Sequence, residues 1–188
     1  MGTISANKLG GLALLIAPVA TLILYFLQPG GAFVDAADPA DGAATIAAML
    51  GNAGLGKVVS VLIPVGLITF LYGIFVLQEN IRSAGNGDAV SRLGVLMILF
   101  GTAGWVVSAG VTLAITGSDL PAAAAVPVFG SLYSATVGIG TIAGLAWAAG
   151  ALLLALAVST RDDSNKIAAL LAAIAALVVV VVTIIGAV

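Results

Sequence analysis

Residues 93–116 read LGVLMILFGTAGWVVSAGVTLAIT, a run with no charged side chain. Arg92 precedes it and Asp119 follows shortly after. A helix needs roughly 20 such residues to cross about 30 Å of hydrocarbon. In water, a stretch of this length would need a polar face, and this one has none. The run therefore reads as a transmembrane span, and the rest of the chain repeats the pattern.

Four further apolar segments stand out at about 9–27, 58–77, 126–158 and 167–188. Charged residues make up 7% of the 188-residue chain, apolar residues 62%, and the mean hydropathy is +1.26. A soluble domain carries about 25% charge, so lipid is the solvent this composition fits. The expected fold is an all-α integral membrane protein, a single membrane domain over residues 1–188 with five spans in a bundle. The segment at 9–27 exceeds the about 7–15 apolar residues of a signal peptide, so it too reads as a span.

Five of the six basic residues flank one side of this layout: Lys8, Arg82, Arg92, Arg161 and Lys166. The positive-inside rule then places the N-terminus in the cytoplasm and the C-terminus outside; the few-span, Ala-, Gly- and Val-rich layout resembles that of prokaryotic membrane proteins, which implies a cytoplasmic membrane. Only Lys57 falls outside, together with Asp35, Asp38, Asp41 and Asp119. The openings NKLGGLALL and SRLGVLMIL of the first and third spans match at Leu9, Gly10, Leu12 and Leu15 against Leu93, Gly94, Leu96 and Leu99. A repeated hairpin would give this match, and so would a recurring positive flank.

The stretch DAADPADG, residues 35–42, concentrates carboxylates in a chain that has few. A calcium loop wants ligands at alternate positions and a later bidentate Glu. Here the acidic spacing is three, which suits a helix start. Asp38 is the expected N-cap, with Pro39 at the first helical position and Asp41 at the third. The prediction is a short amphipathic extracytoplasmic helix between spans 1 and 2, about 39–50, closed by GNAG. Its apolar stripe, Ile46, Met49 and Leu50, is the expected docking face for an outside partner.

Lipid tails are as apolar as leucine, so membrane helices associate through small residues and polar contacts. Spacing by four selects Gly104 and Ser108 in the third span and Thr136, Gly140, Gly144 and Ala148 in the fourth. In the fifth it selects Ala168, Ala172 and Ala176, with Ala169 and Ala173 beside them. Pro18 and Pro64 lie inside the first and second spans, and kinks are expected at both.

Histidine and cysteine are absent. That removes imidazole ligation, thiolate chemistry, disulfides and the Ser–His–Asp arrangement. Six basic residues and a net charge of −2 argue against nucleic acid. No Asp, Glu, Lys or Arg falls within the apolar runs, so proton relays and ion coupling lack their usual parts. No cofactor and no metal site is expected. QEN, residues 78–80, reads as a solvated helix end with Glu79 near Arg82; TRDDSNK, residues 160–166, reads as a solvated loop in which Asp163 or Ser164 caps the last helix.

These readings favour a non-catalytic membrane subunit. Its partners are membrane lipids and either other membrane proteins or further copies of itself. A small oligomeric transporter or channel is an alternative, and would need a polar path lined by Ser60, Thr69, Ser108 and Thr136. A further alternative binds lipid, carotenoid or quinone beside Trp105 or Trp147.

Overall fold

The computed structural model describes residues 4–187. They form six helices: α1 (Ala6–Phe26), α2 (Gly42–Gly51), α3 (Ala53–Ala84), α4 (Asp88–Gly117), α5 (Ala122–Ser159) and α6 (Lys166–Ala187). All but α2 are long and apolar enough to cross a membrane. The chain is an all-α, multi-pass membrane protein with five spans and one short helix between the first two.

The helices outrun the apolar runs that predict them. α3 begins at Ala53 rather than near 58, and α4 begins at Asp88. The turns added at the end of α3 and the start of α4 are polar, and local ion pairs hold them. Arg82 pairs with Glu79 at 3.3 Å and Arg92 with Asp88 at 2.8 Å, each one turn apart. α5 has 38 residues, roughly 57 Å at 1.5 Å per residue, so it is longer than a hydrocarbon core is thick. α1 and α3 continue as single helices through Pro18 and Pro64.

Packing groups the chain into two compact units. Unit 1 comprises Met1–Leu15, Thr69–Ala103 and Thr141–Val188; unit 2 comprises Ile16–Ile68 and Gly104–Gly140. They are not sequential domains, since α1, α3, α4 and α5 each supply a segment to both.

The core of unit 1 is formed by Leu71, Ile74, Ile81, Val95, Ile98, Leu154 and Ala157. Phe70 and Trp147 pack against it and stack on each other, ring centres 5.9 Å apart. Here α4 and α5 approach almost backbone to backbone. A Cβ on Gly150 would stand 2.5 Å from the Gly94 carbonyl oxygen, and one on Gly101 would stand 2.5 Å from that of Ala143. Gly10, which the sequence aligns with Gly94, has the matching role on α1, where its backbone faces the Val76 side chain.

On α6, Ala169 and Ala173 are buried while Ala168 and Ala172 are exposed. The positions turned inward within the chain are thus Ala169 and Ala173, beside the series Ala168, Ala172 and Ala176. Ala176, half-buried, belongs to the buried face because it follows Ala173 by three residues. The rest of α6 presents Ile, Leu and Val outward, as a lipid-facing helix must.

In unit 2 the core is Ile46, Met49, Ile115, Ala125 and Tyr133, with Leu50, Val111, Val126 and Phe129 against it. α2 supplies three of these residues. Its apolar stripe is turned onto this chain's own α4 and α5: Ile46 and Met49 are buried there and Leu50 is half-buried against them. That corrects the docking face assigned to Ile46, Met49 and Leu50.

The cap also moves. Asp41, not Asp38, is the N-cap of α2, its carboxylate accepting from the Ala44 N–H at 3.0 Å. Asp38 instead accepts from Ala40 N–H at 2.9 Å and closes a turn over Pro39. The Tyr133 hydroxyl donates to the Pro39 carbonyl at 3.3 Å, which fixes that turn over the core. The helix ends at Asn52, within the expected GNAG.

Candidate functional site

The richest polar cluster among the described residues forms in unit 1, where α5 ends. Chain geometry creates it. The last carbonyls of a helix lack intrahelical partners, and here hydroxyls satisfy them. Thr160 donates to the Ala157 carbonyl at 2.8 Å, and Ser164 donates to those of Val158 and Arg161 at 2.7 and 3.0 Å. The tight turn that results folds Arg161 back toward α3.

Arg161 is 14% exposed. Its Nε and Nη2 form a fork on the two carboxylate oxygens of Asp163, at 2.8 and 2.6 Å. Its Nη1 donates to the Asn80 carbonyl at 2.5 Å, an acceptor shared with the Ser83 hydroxyl. The guanidinium thus sits near the negative end of the α3 dipole. Asn7, Leu77, Asn80, Ser83, Val158, Asp163 and Ser164 join it around an open depression of about 390 Å³.

The bidentate hydrogen bond from Arg161 holds the Asp163 carboxyl below the usual carboxylate range, and the same bond raises the guanidinium further. Because the folded Asp163 is the stronger acid, its contribution is complete at neutral pH. It is lost only as pH falls through the depressed value. The α5–α6 turn is therefore expected to exchange its amide hydrogens at a pH-independent protection from neutral pH down to the ordinary carboxylate range, and to lose protection below it. Asp163→Asn should show the acid behaviour already at pH 7, measured by hydrogen exchange across residues 160–165. Equal protection in wild type and variant at pH 7 would refute the clamp.

As expected, Asp162 and Asp163 lie in a solvent-exposed turn, but neither Asp163 nor Ser164 caps α6. Asn165 is the cap, its side-chain oxygen accepting from the Ala168 N–H at 3.1 Å. Asp163 and Ser164 are committed to Arg161 and to the end of α5. The one sequence signal was Arg-x-Asp directly after a long apolar run. Glu79 pairs with Arg82 as expected, both exposed.

The acidic stretch between α1 and α2 brings no carboxylates together around a common point. Asp38 and Asp41 serve backbone N–H groups, and Asp35 accepts from the Asn52 side chain, tying the loop to the end of α2.

Among the packing residues, Ser108 and Thr136 meet. The Ser108 hydroxyl lies 3.1 Å from the Gly104 carbonyl of its own helix and 3.5 Å from that of Thr136 on α5. Thr136 donates to Tyr133 at 2.7 Å. Thr112 and Thr116 also donate to carbonyls of their own helix. Hydroxyls folded back in this way present little polarity to a pathway. Ser60 is buried.

Gly140 is half-buried, but a Cβ there would meet nothing within 4 Å. Gly144 is half-buried and Ala148 buried. The contacts fall on a different spacing. Gly94 and Gly101 of α4 oppose Gly150 and Ala143 of α5 in unit 1, and Ser108 opposes Thr136 in unit 2. Along each helix these positions recur every seventh residue, not every fourth. A repeat of seven keeps one helix face turned to its neighbour with little drift.

Compared with protein-family models, curated proteins and solved structures, the chain matches none.

Proposed function

We propose that this chain is a non-catalytic subunit of a membrane assembly, packing against further copies of itself or against partner membrane proteins. In this reading the loops bearing Arg82, Arg92, Arg161 and Lys166 face the cytoplasm, following the positive-inside rule.

One observation carries the proposal. On the unit 2 segment of α5, Gly130, Ser134 and Gly138 follow one another at intervals of four. A Cβ on Gly130 or Gly138 would meet nothing within 4 Å, and Ser134 is exposed, its hydroxyl returned to the Gly130 carbonyl at 3.0 Å. Ser131 and Ala135 are exposed beside them. Small residues at this spacing leave the helix backbone thinly covered, the surface on which a second membrane helix gains close packing. The small residues opposed within the chain, at Gly94, Gly101 and Gly150, do this internally; at Gly130 and Gly138 no described part of the chain lies within 4 Å of an added Cβ. The absence of charged residues from the apolar runs supports a structural role over a catalytic or ion-coupled one.

Substituting leucine at both Gly130 and Gly138 is expected to weaken association by about tenfold, or roughly 1.4 kcal/mol. Single-molecule photobleaching in lipid vesicles would read this as a rise in the monomer fraction at fixed protein density. The monomer should not lose thermal stability, because a Cβ at either position meets nothing within 4 Å and leucine is the better helix former. A wild-type protein that stays monomeric in native-like lipid and co-purifies with no other membrane protein would refute the reading.

A further inference from the structure

We infer that the loop after α1 is a membrane-interface anchor whose Phe33 inserts among lipids at the headgroup–acyl boundary. Phe33 is 72% exposed, among the most exposed large apolar side chains of the protein. It is no loose end. Pro29 bridges to Val34, the Gly30 N–H donates to the Val34 carbonyl at 2.9 Å, and the Gly31 N–H donates to that of Gln28 at 3.0 Å. Pro29 and Gly30 are buried at the base of the loop, and Gly30, at φ 77°, lies against the Thr45 side chain. A fixed base thus holds an apolar tip outward.

The tip continues an aromatic row. Phe33 meets Phe26 edge-on at 5.1 Å between ring centres, and Phe26 lies 6.2 Å from Tyr25. Tyr25 is exposed at the last turn of a span. Aromatic rings at the end of a membrane helix are at home in the interfacial zone. The sequence agrees: the uncharged run that opens at Leu9 does not stop at the helix end, Phe26, but continues through Val34 to Asp35. Water would favour a polar loop there. Lipid accounts for a tip of Gly, Ala, Phe and Val, with the first carboxylate immediately behind it.

The chain has no cysteine, so single-cysteine variants carry one nitroxide label each. The test places labels at Ala32→Cys on the tip, Asn86→Cys on the exposed α3–α4 loop and Val182→Cys on the lipid face of α6. The protein is reconstituted in vesicles of phosphatidylcholine and phosphatidylglycerol, and collision with oxygen is compared with collision with a water-soluble nickel chelate. The expected oxygen-to-nickel ratio at Ala32 is severalfold above that at Asn86 and below that at Val182. Adding Phe33→Glu to Ala32→Cys should return the ratio to the Asn86 value, with the α6 label unaffected. A ratio at Ala32 equal to that at Asn86 places the loop in water and overturns the inference. Low collision with both reagents places it against another protein and overturns it equally.

Discussion

Gly101→Ala is expected to destabilise the folded chain by about 1–3 kcal/mol, although alanine is the better helix former. The added methyl would lie 2.5 Å from the Ala143 carbonyl oxygen, 2.8 Å from Trp147 Cβ and 3.0 Å from the Trp147 nitrogen. Two of these three are backbone atoms of α5. No rotamer change relieves them, so the helices must part, and the contacts of Val95 and Ile98 with Leu154 loosen with them. Gly140→Ala is the matched control. Its Cβ meets nothing within 4 Å, so only the propensity gain remains, up to about 1 kcal/mol in favour of the folded state. Unfolding equilibria of the two variants in bicelles should bracket the wild type. If Gly101→Ala proved as stable as Gly140→Ala, the close approach of α4 and α5 would be wrong.

Ile46→Ala should cost about 2–5 kcal/mol, the range for deleting a buried aliphatic side chain. Ile46 is 0% exposed, enclosed with Met49, Ile115, Ala125 and Tyr133. Ile46→Asp should cost more, since the carboxylate would enter the same cluster without a cation. The expected readout is protease cleavage between α1 and α3, together with lowered thermal stability, in isolated monomer. That last condition separates two accounts of the same residue. A docking face for a partner would leave the monomer as stable as wild type and weaken only its associations. An internal core residue destabilises the monomer itself.

The reversal at Ile46 shows where sequence reading stops. The stripe of Ile46, Met49 and Leu50 was legible because helical periodicity is local. What the stripe faces is not local: its contacts on α4 and α5 lie far along the sequence. The bond from Arg161 to the Asn80 carbonyl was hidden for the same reason, as Asn80 lies on another helix. The α2 cap was ambiguous within the sequence itself. Asp38 and Asp41 each stand before residues that can begin a helix, and the Tyr133 hydroxyl on the Pro39 carbonyl accompanies the later start.

By itself the sequence determined the solvent, the number of spans, the helical class and the place of the short helix. Hydrocarbon imposes these through length and backbone satisfaction, and both can be counted along one chain. Tertiary structure alone decided which small residues touch. With 24 glycines available, α5 offers spacing by four through Thr136, Gly140 and Gly144, and spacing by seven through Thr136, Ala143 and Gly150. The second is used because Ser108, Gly101 and Gly94 recur at the same interval on α4. A contact needs a small residue on both sides at once, and that match is a property of the pair of helices, not of either sequence read alone.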